Sequence, residues 1–285
     1  MSTLAKRGSY DDGAELFWIQ SVRVRMKNEN TEKPDLLKIA RLRFISELDR
    51  WCDQRDVPRD ELDDQVVATR PLSSTEAIGN PERDDFPLLR GKEVLMEANY
   101  RGSCGQAFTS ARGVFSGTLE EVLKLPLEKT FERAVLVSTI NGVMRHLGLV
   151  EGTVHCRDAG PRDCAALLGQ LMRRERICPV GLVGMQPAIL SSLVEIFGPE
   201  RVMVSDLVSA GEIRSGIKVL DGSRPEPLFE RCPIVLITGT TLVNGTIDGL
   251  LELADRFENR VVFYGTTIAG AARLLGLERW CFCSE

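Results

Sequence analysis

Residues 234–247 read I-V-L-I-T-G-T-T-L-V-N-G-T-I, and the fold is decided on this stretch. Ile234, Val235, Leu236 and Ile237 make a short apolar run that stops abruptly in hydroxyl-bearing residues and glycine. An apolar run of this length, bounded by turn residues, is expected to be a strand buried on both faces, as in a parallel sheet. From 247 to 257 the apolar residues recur at helical spacing. A polar loop should therefore open a helix, with Asn244 or Thr246 as its N-cap. Such a junction gathers unpaired backbone N–H groups and the positive end of a helix dipole, which suits an anion or a polar ligand. A well-capped turn without a ligand accounts for the same residues, and both readings stand at this level.

The same rhythm continues around this stretch. Strands are expected at 180–183, 201–205, 261–264 and 280–282, with helices at 187–197, 247–257 and 269–275, and an irregular stretch from 206 to 231. Alternation of this kind builds an α/β domain around a doubly wound parallel sheet. The first half reads differently. A helix is expected at 35–51, a strand at 65–69, a long loop at 72–90, a hairpin of 93–100 with 104–109, and helices at 119–125 and 131–147. The expected organisation is a polar arm over 1–33, a smaller α+β domain over 34–152 and the α/β domain over 153–285.

Composition narrows the functional classes. The net charge of −5 argues against a nonspecific nucleic-acid binder, which needs a basic face. No stretch is long and apolar enough to span a bilayer, and the first residues lack the apolar core of a signal peptide, so a cytoplasmic location is expected. The eight cysteines then read as reduced thiols rather than a disulfide framework. A homo-oligomer is compatible with all of this.

Several segments share a resemblance: T-G-T-T-L-V-N-G-T (238–246) with the Leu-rich helix after it, Y-G-T-T (264–267), C-G-Q-A-F-T (104–109), F-S-G-T-L (115–119) and R-A-V-L-V-S-T-I-N-G-V-M-R-H-L (133–147). From about Asp35 onward the chain resembles the family named the putative heavy-metal chelation domain. The resemblance implies a first domain like the one preceding the enolase barrel, a Rossmann-like second domain, and a site in the cleft between them. It also implies a metal-handling role.

In an open parallel sheet, ligands bind beyond the carboxyl ends of the strands. Three loops occupy such ends: 184–187, 238–246 and 265–268. They offer Gln186, Thr240, Thr241, Asn244, Thr246 and Thr266 and carry no Lys, Arg or His, so the expected site is polar, uncharged and without the lysine of a P-loop. Gln106 and Thr109 of the first half are expected to face it. His155, Cys156 and Cys164 offer donors for zinc, iron or copper, although H-C-x7-C is not a zinc-finger spacing, and a buried thiol on a helix starting near Pro161 explains Cys164 equally well. Asp206 ends a strand where a ribose-binding acid would sit, although turn capping uses an acid there as readily. No G-x-S-x-G elbow is present. The leading expectation is a small-ligand or metal-handling protein, with a small molecule or a metal chelate as its partner. The alternatives are a transferase or oxidoreductase using S-adenosylmethionine or NAD, and a noncatalytic accessory protein.

Overall fold

The computed structural model describes residues 35–91 and 93–285; the arm expected over 1–33 lies outside the described residues. Residues 35–285 pack as one compact unit containing two main sheets. The first is antiparallel, in the order β3-β2-β1-β4, from β1 (Val66–Pro71), β2 (Val94–Tyr100), β3 (Ser103–Thr109) and β4 (Phe115–Thr118). β2 and β3 form the expected hairpin, pairing Tyr100 with Ser103 across Arg101-Gly102, both at positive φ as a two-residue turn requires.

The second sheet is parallel. It contains β5 (Val180–Val183), β6 (Val202–Asp206), β9 (Leu220–Asp221), β10 (Ile234–Thr238) and β11 (Arg260–Tyr264), in the order β11-β10-β5-β6-β9. β7 (Ile213–Arg214) and β8 (Ile217–Lys218) form a separate two-stranded ribbon. The apolar run of β10 is buried on both faces. Val235 and Ile237 join one core with the helices Leu36–Asp53 and Thr130–His146, while Ile234 and Leu236 join another with Gly160–Glu175 and Pro187–Phe197. The chain runs outward from β5 to β6 and β9, then returns to lay β10 on the other side of β5. The order therefore reverses between β5 and β10, and a crevice opens at such a reversal.

Three expectations change. Residues 280–282 form no strand; Arg279 alone makes a parallel bridge with Phe263, and the fifth strand is β9, inside the stretch expected to be irregular. Residues 72–90 include a helix, Ser74–Ile78, with a Ser73/Glu76 capping box. Residues 238–246 are not an open loop, because Thr240–Asn244 forms one helical turn before Ile247–Phe257, and Thr246 precedes that second helix without a side-chain capping bond.

The halves meet on the Thr130–His146 helix. Every residue from Ala134 to Met144 is buried, so this helix is wrapped rather than amphipathic. Asn141 at its centre donates to the carbonyls of Gln106, Thr266 and Thr267 and accepts from the Gly270 N–H. Arg133 donates to the Leu242 and Val243 carbonyls and pairs with Asp35, which ties the 240–244 turn to the first half.

Candidate functional site

A cavity of about 320 Å³ opens at the carboxyl ends of β5, β6, β10 and β11. The strand ends supply Gln186, Asp206, Thr238, Thr240 and Thr241, with Asn244 and Thr246 further on; β3 and the residue after it supply Thr109 and Ser110. Glu93, His155, Cys156, Cys164 and Cys281 complete the chemically active lining, and Phe86, Leu88, Phe108 and Trp280 give it apolar walls. Two expected residues are elsewhere. The Gln106 amide donates to Glu97 and accepts the His155 N–H, so it braces the wall from outside. Thr266 is fully buried, its hydroxyl without a partner among the described residues, and does not line the cavity.

The polar residues share one arrangement: their acceptors are used inward. Gln186 caps the helix after β5 through its Oε1, which accepts the Ile189 N–H at 2.6 Å. Asn244 Oδ1 accepts the N–H and the hydroxyl of Thr246. Thr109 Oγ1 accepts the Ala111 N–H, and Thr240 Oγ1 accepts the Thr238 hydroxyl. The Gln186 and Asn244 amide N–H groups and the Thr109 and Thr240 hydroxyl protons have no acceptor among the described residues. Thr241 differs, because its hydroxyl donates to the Thr238 carbonyl at 2.7 Å.

Charge enters through two carboxyls, so the site is not uncharged as expected. Asp206 is clamped by three backbone amides: Oδ1 accepts from Val208 and Ser209, and Oδ2 from Met185. It caps its own turn and ties the ends of β5 and β6 together. Glu93, just before β2, lies against the cavity with its pKa pushed up to about 7, first by burial and then by the Asp206 charge. No Lys or Arg lines the cavity among the described residues. Nothing in the local sequence of Glu93 announces this role; only the docking of the two sheets creates it.

The cysteine and histidine residues lie near one another without making a metal centre. Among the described residues no group of three His, Cys, Asp or Glu side chains is arranged to hold a metal ion, so the three-donor expectation for His155, Cys156 and Cys164 is not met. The His155 ring sits edge-on to Phe108, its Nδ1 is 3.2 Å from the Ala77 carbonyl, and burial lowers its pKa to about 4. Burial raises the Cys156 thiol to about 12. The Cys164 thiol is raised well above its ordinary value, first by its interaction with Cys281 and then by burial. The Cys281 thiol is lowered, first by its interaction with Cys164 and then by the nearby Arg279 charge, against the effect of burial.

Fold and cavity together define an α/β protein with a crevice at the carboxyl ends of a parallel sheet. The family it resembles is DUF364, described as putative heavy-metal chelation, whose family model matches residues 167–275. That description supports a metal-handling role at the level of the family. One similar solved structure is a DUF364-family protein of unknown function from Desulfitobacterium hafniense DCB-2, with TM-score 0.47 and 16% identity, covering 64% of this chain and 72% of that one. Another DUF364-family protein of unknown function, from Pyrococcus horikoshii, gives TM-score 0.46 and 14% identity over 81% of this chain and 79% of that one. A search of curated proteins found no match. Among the described residues, no helix is long and apolar enough to cross a membrane.

Proposed function

We propose that the protein binds a metal ion carried by a small amino-acid-like chelator, with the cavity at the strand ends as its site. The observation that carries this reading is the pairing of Glu93 and Asp206 on a wall without Lys or Arg, opposite donors whose acceptors are already used. The carboxyls suit the cationic metal, and the Thr240, Asn244 and Gln186 donors suit the chelator's carboxylate. β6 and β10 are separated by one strand, so Asp206 and Thr240 lie roughly 10 Å apart at ordinary strand spacing, a span for a small chelate, with Gln186 beyond the end of β5 between them. The metal is cargo here, and its own donors come from the chelator. Eight free thiols suit a reducing compartment, the cytoplasm.

Titration calorimetry with the one-to-one nickel(II)–histidine complex tests the proposal. One complex should bind per chain, while histidine alone binds weakly. Thr240→Val and Asn244→Ala should each weaken binding by about tenfold, the value of one or two lost hydrogen bonds, without unfolding the protein. Equal affinity in wild type and both variants, or no binding at all, would reject the site.

A further inference from the structure

A second cavity, also of about 320 Å³, lies where the helices Leu36–Asp53, Thr130–His146 and Ala269–Leu275 meet. Arg43, Ser46, Glu47 and Arg50 line it from the first of these helices. Residues three, four and seven positions apart share one helical stripe, and this one runs beside the buried stripe of Leu37, Ala40, Phe44 and Leu48. Arg273 and Leu274 face it from the last helix, and Met144 and Leu149 add apolar surface. The Arg43 guanidinium is anchored, its Nη1 donating to the Leu274 carbonyl at 3.1 Å. That bond also satisfies a carbonyl at the negative end of the short helix, where an anion would otherwise meet repulsion. Arg50 pairs with Glu47 at 2.9 Å. Arg273 is exposed and has no carboxylate partner among the described residues.

Three guanidiniums against one carboxylate leave this hollow with an excess of positive charge, in a chain whose net charge is −5. Like charges repel, so arginines that serve only to solvate a helix face gain by spreading apart. Here three of them, from two helices, converge on one concavity, and a concave basic wall concentrates its field on what enters. We propose that this cavity binds the phosphate groups of a small phosphorylated or pyrophosphate-bearing anion. Guanidinium forks match phosphate oxygens, and donors arriving from two helices suit an anion with oxygens on several sides better than a planar carboxylate. The Ser46 hydroxyl donates to the Leu42 carbonyl, so the arginines carry the recognition. Glu47 opposes the anion and partly occupies Arg50, so removing its charge strengthens the site. The cavity at the strand ends has no Lys or Arg among the described residues and shares no lining residue with this one, so the anion site stands independently of the chelate reading.

The test is titration calorimetry of the full chain with inorganic pyrophosphate, at fixed ionic strength and without added metal. One pyrophosphate should bind per chain. Arg273→Gln and Arg50→Gln should each weaken binding about tenfold or more, the value of a lost charge-assisted hydrogen bond, while Glu47→Gln should tighten it. Arg50 and Arg273 are exposed, so these variants keep the fold, and Arg273→Gln should bind nickel(II)–histidine as wild type does. No binding of pyrophosphate, equal affinity in wild type and Arg273→Gln, or weaker binding by Glu47→Gln would overturn the proposal. So would loss of binding in Thr240→Val with the arginine variants unaffected, which would move the anion to the strand-end cavity. None of these results alters nickel(II)–histidine binding by wild type, so the two sites fail separately.

Discussion

Glu93 is a carboxyl held at the edge of ionisation. Buried against the cavity and faced by Asp206 and Tyr264, its pKa stands at about 7 rather than near its ordinary value of 4.5. A raised folded-state pKa means that the folded protein binds the proton more tightly than the unfolded chain. The stability this provides is complete below about pH 4.5 and is lost as pH rises through 7. His155 works in the opposite sense, since burial holds its ring neutral down to about pH 4, so its contribution is present above pH 6.5 and lost as pH falls. Glu93→Gln should therefore stabilise the protein at pH 8 by roughly 2–3 kcal/mol relative to its effect at pH 4.5. Urea denaturation at the two pH values checks this; an equal difference at both would mean that Glu93 is not held neutral by the fold.

At the scale of the element, the close contact of β3 with the Thr130–His146 helix positions Thr109 and the cavity wall. Gly105 lies directly against the backbone of Ser138, Asn141 and Gly142, with no room for a Cβ. Gly105→Ala should cost about 3 kcal/mol through this overpacking, measured by chemical denaturation, whereas Gly102→Ala in the turn meets open space and should cost less, through positive φ alone. The small residues of C-G-Q-A-F-T permit a close backbone approach, but nothing in them names the helix that makes it. The strand at 234–238 and the helix at 187–197 were legible, because each is bounded by its own turn residues. β9 was not legible, since two residues of strand leave no periodicity to read. The helical turn at 240–244 was hidden because its Thr and Asn residues, with Gly239 and Gly245 on either side, match the composition of an open loop. The strand expected at 280–282 failed because the segment meets β11 at a single bridge, where Glu278 accepts the Phe263 N–H and Trp280 donates to the Phe263 carbonyl, and the chain bends again at 282–283.

At the scale of the molecule, the site exists because two sheets share one helix. Asn141, buried inside that helix, makes four hydrogen bonds that join β3 to the two segments flanking Ile268. Asn141→Ala should leave three carbonyls and one N–H without this partner and cost about 3 kcal/mol or more. The loss should appear as one shifted cooperative transition rather than two separate ones. A melt in which the first sheet stays folded while the parallel sheet opens would show the halves to be independent. Glu93 precedes a strand of one sheet and Asp206 ends a strand of the other, so no reading of either half alone could bring these two acids together.

The most direct test of the account is the pH dependence of nickel(II)–histidine binding in wild type and Glu93→Gln, each measured at pH 6 and pH 8 in the same buffers. With the carboxyl neutral at the lower pH and ionised at the higher, wild type should gain about tenfold in affinity between them beyond any gain in Glu93→Gln, where only the chelate's own titration remains. The same gain in both proteins, or tighter binding by Glu93→Gln at pH 8, would contradict a site built on an ionisable acid pair.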